Sequence, residues 1–155
     1  MSSGLFANQR ETNLASTTAL VEAVLAELGH SAPSSRVKDP TALQAWQIPK
    51  GSSLTTVTLI HRTDFTHLRV CATVMTLDRA VDRLSLFAHL LDLNASLCGV
   101  AFATSGDQVL LLAERSTLDL DRSEVLELLR RVTTYADEHD DVLVARFGGS
   151  LGAPT

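Results

Sequence analysis

The sequence predicts a single α+β domain built around a mostly antiparallel sheet. Segments in which apolar and polar residues alternate are joined by short turns, as between residues 54–62 and 67–75 and within residues 97–115. Short turns connect antiparallel neighbours, whereas parallel strands need long crossovers. Segments with apolar residues at helical spacing interrupt the strands instead of alternating with each of them, which argues against a doubly wound parallel sheet. The predicted element order is α-β-β-β-α-β-β-α.

Length and composition fit one globular domain that neither spans a membrane nor binds nucleic acid through its charge. The chain has 155 residues, of which 45% are apolar and 20% are charged, and its net charge is −5. Its 13 Lys and Arg residues are scattered, whereas a phosphate-backbone binder normally carries a basic patch. No apolar run approaches the ~20 residues of a membrane-spanning helix. Cys71 and Cys98 lie in apolar runs without metal-ligand spacing, so we expect free thiols and a cytoplasmic location.

The beginning of the chain predicts a flexible segment followed by a helix. Residues 1–11 are small or polar and are expected to be flexible. Thr12 or Asn13 is expected to cap the helix, because a short side-chain oxygen accepts a hydrogen bond from an unpaired N–H group. Apolar residues then recur at helical spacing from Leu14 to Leu28, and a glycine ends the pattern.

Three predicted strands follow a loop rich in proline and serine. The first covers residues 43–48 and is a candidate edge strand, and Pro49 ends it because proline donates no ladder hydrogen bond. The next two cover residues 54–62 and 67–75. In the last of these, alternation places four apolar side chains on one face and a half-polar set on the other. Such a half-polar face is either solvated or meets a partner.

A second helix and a hairpin form the centre of the chain. Asp78 is expected to cap this helix, and the hairpin strands cover residues 97–103 and 108–115. Gly106 supplies the positive φ that a tight hairpin turn requires. Apolar residues on both faces of the second hairpin strand indicate a central position or a dimer contact. The predicted apolar stripe on the helix consists of Val81, Leu84, Phe87, Ala88 and Leu91.

The last helix opens with a capping box formed by Asp121 and Glu124. It either continues to Phe147 or breaks at residues 140–141. The tail over residues 150–155 is expected to be flexible. The folded domain is therefore predicted to cover residues 12–149.

No pattern in the sequence is typical of catalysis, of a metal site or of a cofactor site. Five histidines are present without metal-ligand spacing, although His61 and His67 flank one turn and are candidates to meet across a hairpin. The acidic residues around His139 are expected to form a solvated helix face, because neighbours on a helix point apart. There is no nucleophile elbow and no phosphate-binding loop. We therefore expect a protein that is not an enzyme and that needs no cofactor.

The central stretch resembles a known family. A helix that ends in LLDLNASL is followed by GVAFATSGDQVLLLAER and then by a capped helix that carries LELLRRVTTYADEHDD. This arrangement resembles the YbjN-like family of bacterial proteins, which shares the fold of the type III secretion chaperones (the CesT-like chaperones). The resemblance covers residues 54–147, and the first helix fits the same order of elements.

The resemblance implies a non-catalytic, chaperone-like adaptor that holds a protein or peptide client and acts as a homodimer. It also implies a role in sensory transduction or stress response. Transferred by position, candidate dimer contacts lie on the central helix and on the strand after it. Further candidates lie on the strand over residues 54–62, where a partner segment would cover an exposed sheet face. The alternative is that these residues are simply core. The candidates are Leu84, Phe87, Leu91, Val100, Phe102, Val57 and Leu59.

Two other function classes remain as alternatives. A small-molecule sensor or enzyme would use the polar sheet face near His61 and His67, and it requires a deep pocket with convergent polar groups. A nucleic-acid-associated regulator would require a basic face despite the acidic total charge.

Overall fold

The computed structural model describes residues 3–51, 53–63 and 65–152, with side chains from residue 11 onward. The helices are α1 (Ser3–Glu27), α2 (Ala32–Ser35), α3 (Arg83–Asn94) and α4 (Arg122–Phe147). The strands are β1 (Arg36–Val37), β2 (Gln44–Lys50), β3 (Ser53–His61), β4 (Thr66–Thr76), β5 (Ala101–Ser105), β6 (Gln108–Ser116) and β7 (Ser150–Leu151).

Within these ranges the strands form one antiparallel sheet in the order β1-β2-β3-β4-β6-β5, and β7 pairs with β4. The predicted α+β class is confirmed, and the predicted element order is present with α2, β1 and β7 as short additions. In the described part of the chain, no helix combines the length and the apolar character needed to cross a membrane.

One face of the sheet forms the core. Register places Trp46, Val57, Val70 and Ala113 in one row across β2, β3, β4 and β6, and all four are buried. The main packing partner of this face is α4, which lies along β4 and also contacts β3 and β6, and α1 packs against α4. Residues at every second position face the core because side chains alternate along a strand.

Helix α1 begins at Ser3, earlier than the start predicted at Thr12 or Asn13, and includes part of the segment predicted to be flexible. Residues 1–2 lie outside the described ranges. No proline interrupts residues 3–27, so helix propagation needs no start at Thr12 or Asn13. Asn13 instead links α1 to the loop after β6, where its side-chain oxygen accepts a hydrogen bond from Thr117 Oγ1 at 2.8 Å.

Helix α3 differs from its prediction in its start and in its buried face. Asp82 is the N-cap and accepts hydrogen bonds from two backbone N–H groups, whereas Asp78 stabilises the preceding turn. Leu86 and Leu90 are buried, and Leu84 points to solvent. Leucines lie at helical spacing on both faces, so the pattern alone did not identify the buried one.

Helix α4 has the predicted capping box, and of the two predicted ends it has the later one, at Phe147. Asp121 N–H donates to Glu124 at 3.0 Å, and Glu124 N–H donates to Asp121 at 2.9 Å. The helix continues through residues 140–141, where Asp140 is buried, and ends at Gly148. A helix that packs along its whole length on the sheet retains its hydrogen bonds through a polar segment.

The chain after α4 returns to the sheet. Ser150 pairs with Thr76 and Leu151 with Met75, which corrects the prediction of a flexible tail for these two residues. Gly152 N–H donates to Val74 O at 3.2 Å, and a Cβ at this position would lie 2.1 Å from the backbone oxygen of Thr73. Glycine is therefore required for the close approach. Residues 153–155 of the predicted tail lie outside the described ranges.

The two predicted hairpin strands pair as expected, with one shorter than predicted. Gly106 has φ +57° in the turn between β5 and β6, which confirms the hairpin. Strand β5 begins at Ala101 instead of residue 97. Gly99, with φ +72°, turns the chain before it, and Arg131 donates to the carbonyl oxygen of Cys98 at 2.8 Å. These contacts replace strand pairing over residues 97–100.

Strand β2 extends to Lys50 and includes Pro49, which the sequence placed after the strand. Pro49 pairs with Leu54 of β3. The missing N–H of proline is tolerated because β1 covers only the first part of the other side of β2.

Candidate functional site

The second face of the sheet, which we call the open face, keeps contact with solvent. It carries the positions that alternate with the core residues on β3, β4 and β6. Apart from the buried Thr58, most of these side chains are neither fully buried nor fully exposed, as on the solvated face of an antiparallel sheet. The half-buried residues of the open face are Thr56, Ile60, His67, Arg69, Cys71, Thr73, Leu110, Leu112 and Glu114.

One half of the open face is apolar. Cys71, Leu112 and Ala101 form a row across β4, β6 and β5, and Leu110 lies in the next row. Partial burial raises the pKa of the Cys71 thiol, so this thiol is protonated and uncharged at neutral pH. The result is a continuous apolar surface over three strands.

The other half of the open face is charged. Glu114 accepts two hydrogen bonds from Arg62, from Nε and Nη2, each at 2.8 Å, and one from Arg69 at 3.3 Å. The hydrogen bonds from Arg62 hold the pKa of Glu114 below its usual range, and the charge of Arg69 adds to this. With two guanidinium groups on one carboxylate, this end of the face has a positive excess.

Helix α3 presents an apolar stripe to solvent. Leu84 is 82% exposed and Leu91 is 69% exposed, and Ala88 lies exposed between them. Phe87 is partly buried and packs against the core. The structure thus places three of the predicted contact residues, Leu84, Phe87 and Leu91, on one accessible helix. We call Leu84, Ala88 and Leu91 the α3 stripe.

The other four predicted contact residues lie in the core. Val57 and Leu59 are fully buried, and Val100 and Phe102 are 8% and 6% exposed. Val57 and Leu59 share the helix-covered face of β3, and the ring of Phe102 packs 5.5 Å from that of His139. These four side chains offer no surface to a partner in the folded chain.

At the outer edge of β5, the side chain of Asn94 forms hydrogen bonds with the backbone of Phe102. The sequence did not predict this contact. Asn94 Oδ1 accepts a hydrogen bond from Phe102 N–H at 2.7 Å, and Asn94 Nδ2 donates to Phe102 O at 3.2 Å. An asparagine offers both a donor and an acceptor, so it imitates a neighbouring strand at this position. The sequence feature that could have indicated this contact is the position of Asn94, which is the last residue of α3 and precedes β5.

The histidines proposed for a small-molecule pocket do not come together. His61 pairs with Thr66, and His67 pairs with Ile60. Directly opposed residues share a face and adjacent residues do not, so the two rings lie on opposite faces of the sheet. Within the described ranges, no group of three or more His, Cys, Asp or Glu side chains is placed to hold a metal ion.

Two cavities lie beside β1, away from His61 and His67. A cavity of 690 Å³ lies between the loop over residues 33–40 and the start of β2. A second cavity of 440 Å³ lies between α1 and the same strands. Arg36 and Gln44 line both cavities and stand between them, so the two cavities flank the outer side of β2 where β1 pairs with it. We call the two cavities and the position of β1 between them the edge groove.

A family profile described as T3SS (YopN, CesT) and YbjN peptide-binding chaperone 1 matches residues 15–154. The chain belongs to this family. The match confirms the resemblance seen in the sequence and extends it to α1 and to the first strands. The comparison with curated proteins finds no match.

Solved structures show the same fold. A chain of the ExsC–ExsE complex is 16% identical, with a TM-score of 0.63 over 83% of this chain and 94% of that one. A chain of the HopA1–SchA chaperone–effector complex is 12% identical, with a TM-score of 0.58 over 84% and 97%. A chain of the ExoU–SpcU complex from the type III secretion system of Pseudomonas aeruginosa is 19% identical, with a TM-score of 0.53 over 81% and 96%. At these identities the likeness shows a shared fold and no more.

Proposed function

We propose that this chain is a non-catalytic, chaperone-like adaptor that holds an extended segment of a client protein against the open face. The observation that carries the proposal is the apolar half of that face, where Cys71, Leu110 and Leu112 lie half-buried on adjacent strands. Apolar side chains of a client segment gain free energy when they cover such a surface, and the charged half sets their orientation. Family membership and the chaperone–effector complexes among the similar structures support a protein or peptide client.

The proposal includes a homodimer formed through the α3 stripe. Leu84 and Leu91 expose large apolar side chains on one helix, and such a stripe is buried when two copies of the helix pack together. The hydrogen bonds of Asn94 occupy the edge of β5 at Phe102. The dimer would therefore form by helix packing, without a continuous sheet across the two subunits.

The proposal also includes a cytoplasmic location, which the two free cysteines fit. A role in sensory transduction or stress response, which the YbjN resemblance implies, would follow from the identity of the client. The client is best identified by capture from a native lysate.

The test compares capture by two variants that differ in the face they change. Leu112→Asp places a charge in the apolar half of the open face, and Leu118→Asp places one at a 57% exposed position in the loop after β6. We expect Leu112→Asp to lose the proteins that the unmodified chain retains, whereas Leu118→Asp retains them. Quantitative mass spectrometry of the captured proteins measures the difference, and circular dichroism confirms that both variants are folded. Equal capture by the two variants contradicts the proposal.

A further inference from the structure

Strand β1 is a two-residue segment of this chain that lies in the edge groove. Arg36 pairs with Trp46 and Val37 pairs with Ala45 of β2. We propose that Arg36-Val37 is an internal stand-in for a client strand, which competes for the groove with a client segment that carries Arg or Lys followed by an aliphatic residue. This inference rests on the proposed function and adds a second contact and its regulation.

Few contacts hold β1 against β2, so a client strand can replace it. Strand β1 pairs with only two of the seven residues of β2, and Pro33 and Pro40 limit any extension of the strand on either side. Its ion pair is solvent-accessible, with 44% of the Arg36 side chain and 31% of the Glu22 side chain exposed. Exposed ion pairs contribute little to stability. A longer strand from a client would form more ladder hydrogen bonds with β2 than β1 does.

The position of Arg36 shows which side chain the groove selects. Its guanidinium group forms an ion pair with Glu22 of α1 and lies 5.7 Å from the centre of the Trp46 ring. Trp46 Nε1 donates to the same Glu22 carboxylate at 3.3 Å, which fixes the carboxylate beside the ring. A carboxylate next to an aromatic face is a receptor for a cation. A client arginine or lysine would replace Arg36 in this receptor.

The space on both sides of β1 fits a segment longer than two residues. The 440 Å³ cavity is lined by small residues of α1, including Ala15 and Ala19, and by the acidic Glu11. The 690 Å³ cavity continues past Leu43 on the other side of Arg36. Glu11 and Glu22 line the cavity beside α1, so this side of the groove is complementary to a basic segment.

The first test measures binding of the chain's own strand in trans. The probe is a fluorescein-labelled peptide with the sequence of residues 31–42, SAPSSRVKDPTA. The double variant Arg36→Gly/Val37→Gly weakens the binding of β1 in the groove, because it removes both side chains of the strand and with them the ion pair to Glu22 and the contact with the Trp46 ring. We expect this variant to bind the peptide at least 10-fold more tightly than the unmodified chain, in which the tethered strand competes at an effective concentration near the millimolar range. Fluorescence anisotropy measures both affinities.

The matched control reverses one charge. A peptide with Glu in place of Arg36 is expected to bind the double variant at least 10-fold more weakly, and the additional substitution Glu22→Arg is expected to restore its binding. Equal binding of the two peptides, or equal binding of the native peptide to the double variant and to the unmodified chain, overturns the inference. Binding of lysate clients through the open face, tested with Leu112→Asp, is independent of this result.

The second test locks β1 in place and decides the case if the double variant does not fold. Val37 and Ala45 are directly opposed on antiparallel strands, within the distance that a disulfide spans. In a Cys98→Ser background, the oxidised Val37→Cys/Ala45→Cys variant is expected to bind the labelled peptide at least 10-fold more weakly than its reduced form. Equal peptide affinity in the oxidised and reduced forms contradicts a groove that exchanges its strand.

Discussion

Glu114 is the residue at which charge and sheet structure are most closely coupled. Its carboxylate accepts hydrogen bonds from Arg62 and Arg69, and they hold its pKa below the ordinary value of about 4.3. A carboxyl with a lowered pKa in the folded state contributes stability that is fully present above its ordinary pKa. We expect this contribution to be lost as the pH falls from about 5 through the folded pKa, and thermal unfolding between pH 3 and 7 measures the loss.

The control for this prediction is Glu114→Gln, which retains the shape of the side chain and removes the titration. Its melting temperature is expected to fall less steeply below pH 5 than that of the unmodified chain. The two curves are expected to approach each other at pH 3, where the native carboxyl is increasingly protonated. If the difference between the two proteins is the same at every pH, the ion pairs with Arg62 and Arg69 do not stabilise the fold.

Single residues also show what could be predicted from the sequence. Gly106 and the pair Asp121 and Glu124 were assigned correctly, because a tight turn and a capping box depend on neighbours within a few residues. The roles of Asn94 and Arg36 could not be assigned. Their partners, Phe102 and Glu22, are 8 and 14 residues away, and they come close only through the tertiary fold.

At the scale of the elements, α3 has two leucine-containing faces that the sequence does not distinguish. Leu86 and Leu90 are four residues apart and face the core, whereas Leu84 and Leu91 are seven apart and face solvent. Both spacings match a helix. In α4, by contrast, most of the buried residues are apolar and lie at helical spacing. The sequence therefore predicted that α3 is a helix with candidate contact residues, but it did not show which of its two faces packs on the core.

The exposed face of α3 leads to a prediction on assembly. Leu84→Asp/Leu91→Asp replaces two exposed leucines with charges, so the cost to monomer folding is small, whereas burial of these charges between two helices is strongly unfavourable. We expect the variant to elute and scatter light as a monomer at concentrations at which, on our proposal, the unmodified chain forms a dimer.

The control changes one exposed position on another helix. Val142 is 58% exposed on α4, and Val142→Asp is expected to leave the mass unchanged. Circular dichroism distinguishes a folded monomer from an unfolded chain. A dimeric double variant, or a monomeric unmodified chain, would count against the α3 stripe as the dimer contact.

At the scale of the whole molecule, the two faces of the sheet differ in burial. One face and its helices form the core, and the other carries the half-buried residues that we assign to the client. Period-2 alternation was visible in the sequence, but it did not show which face the helices cover, and this is why Val57 and Leu59 were named as contacts. Only the packing of α4 along β4 determines the covered face.

Two neighbouring leucines on β6 test this division with the same substitution. Leu111 is fully buried on the core face, whereas Leu112 is half-buried on the open face. Leu111→Ala leaves a cavity in the core and is expected to lower the free energy of unfolding by about 2–5 kcal/mol. Leu112→Ala is expected to lower it by less than about 1 kcal/mol, because solvent fills the space, and to weaken client binding instead. Urea unfolding and client capture, measured on both variants, separate the two effects. Similar losses of stability in both would mean that the open face is covered within the folded chain and does not serve a client.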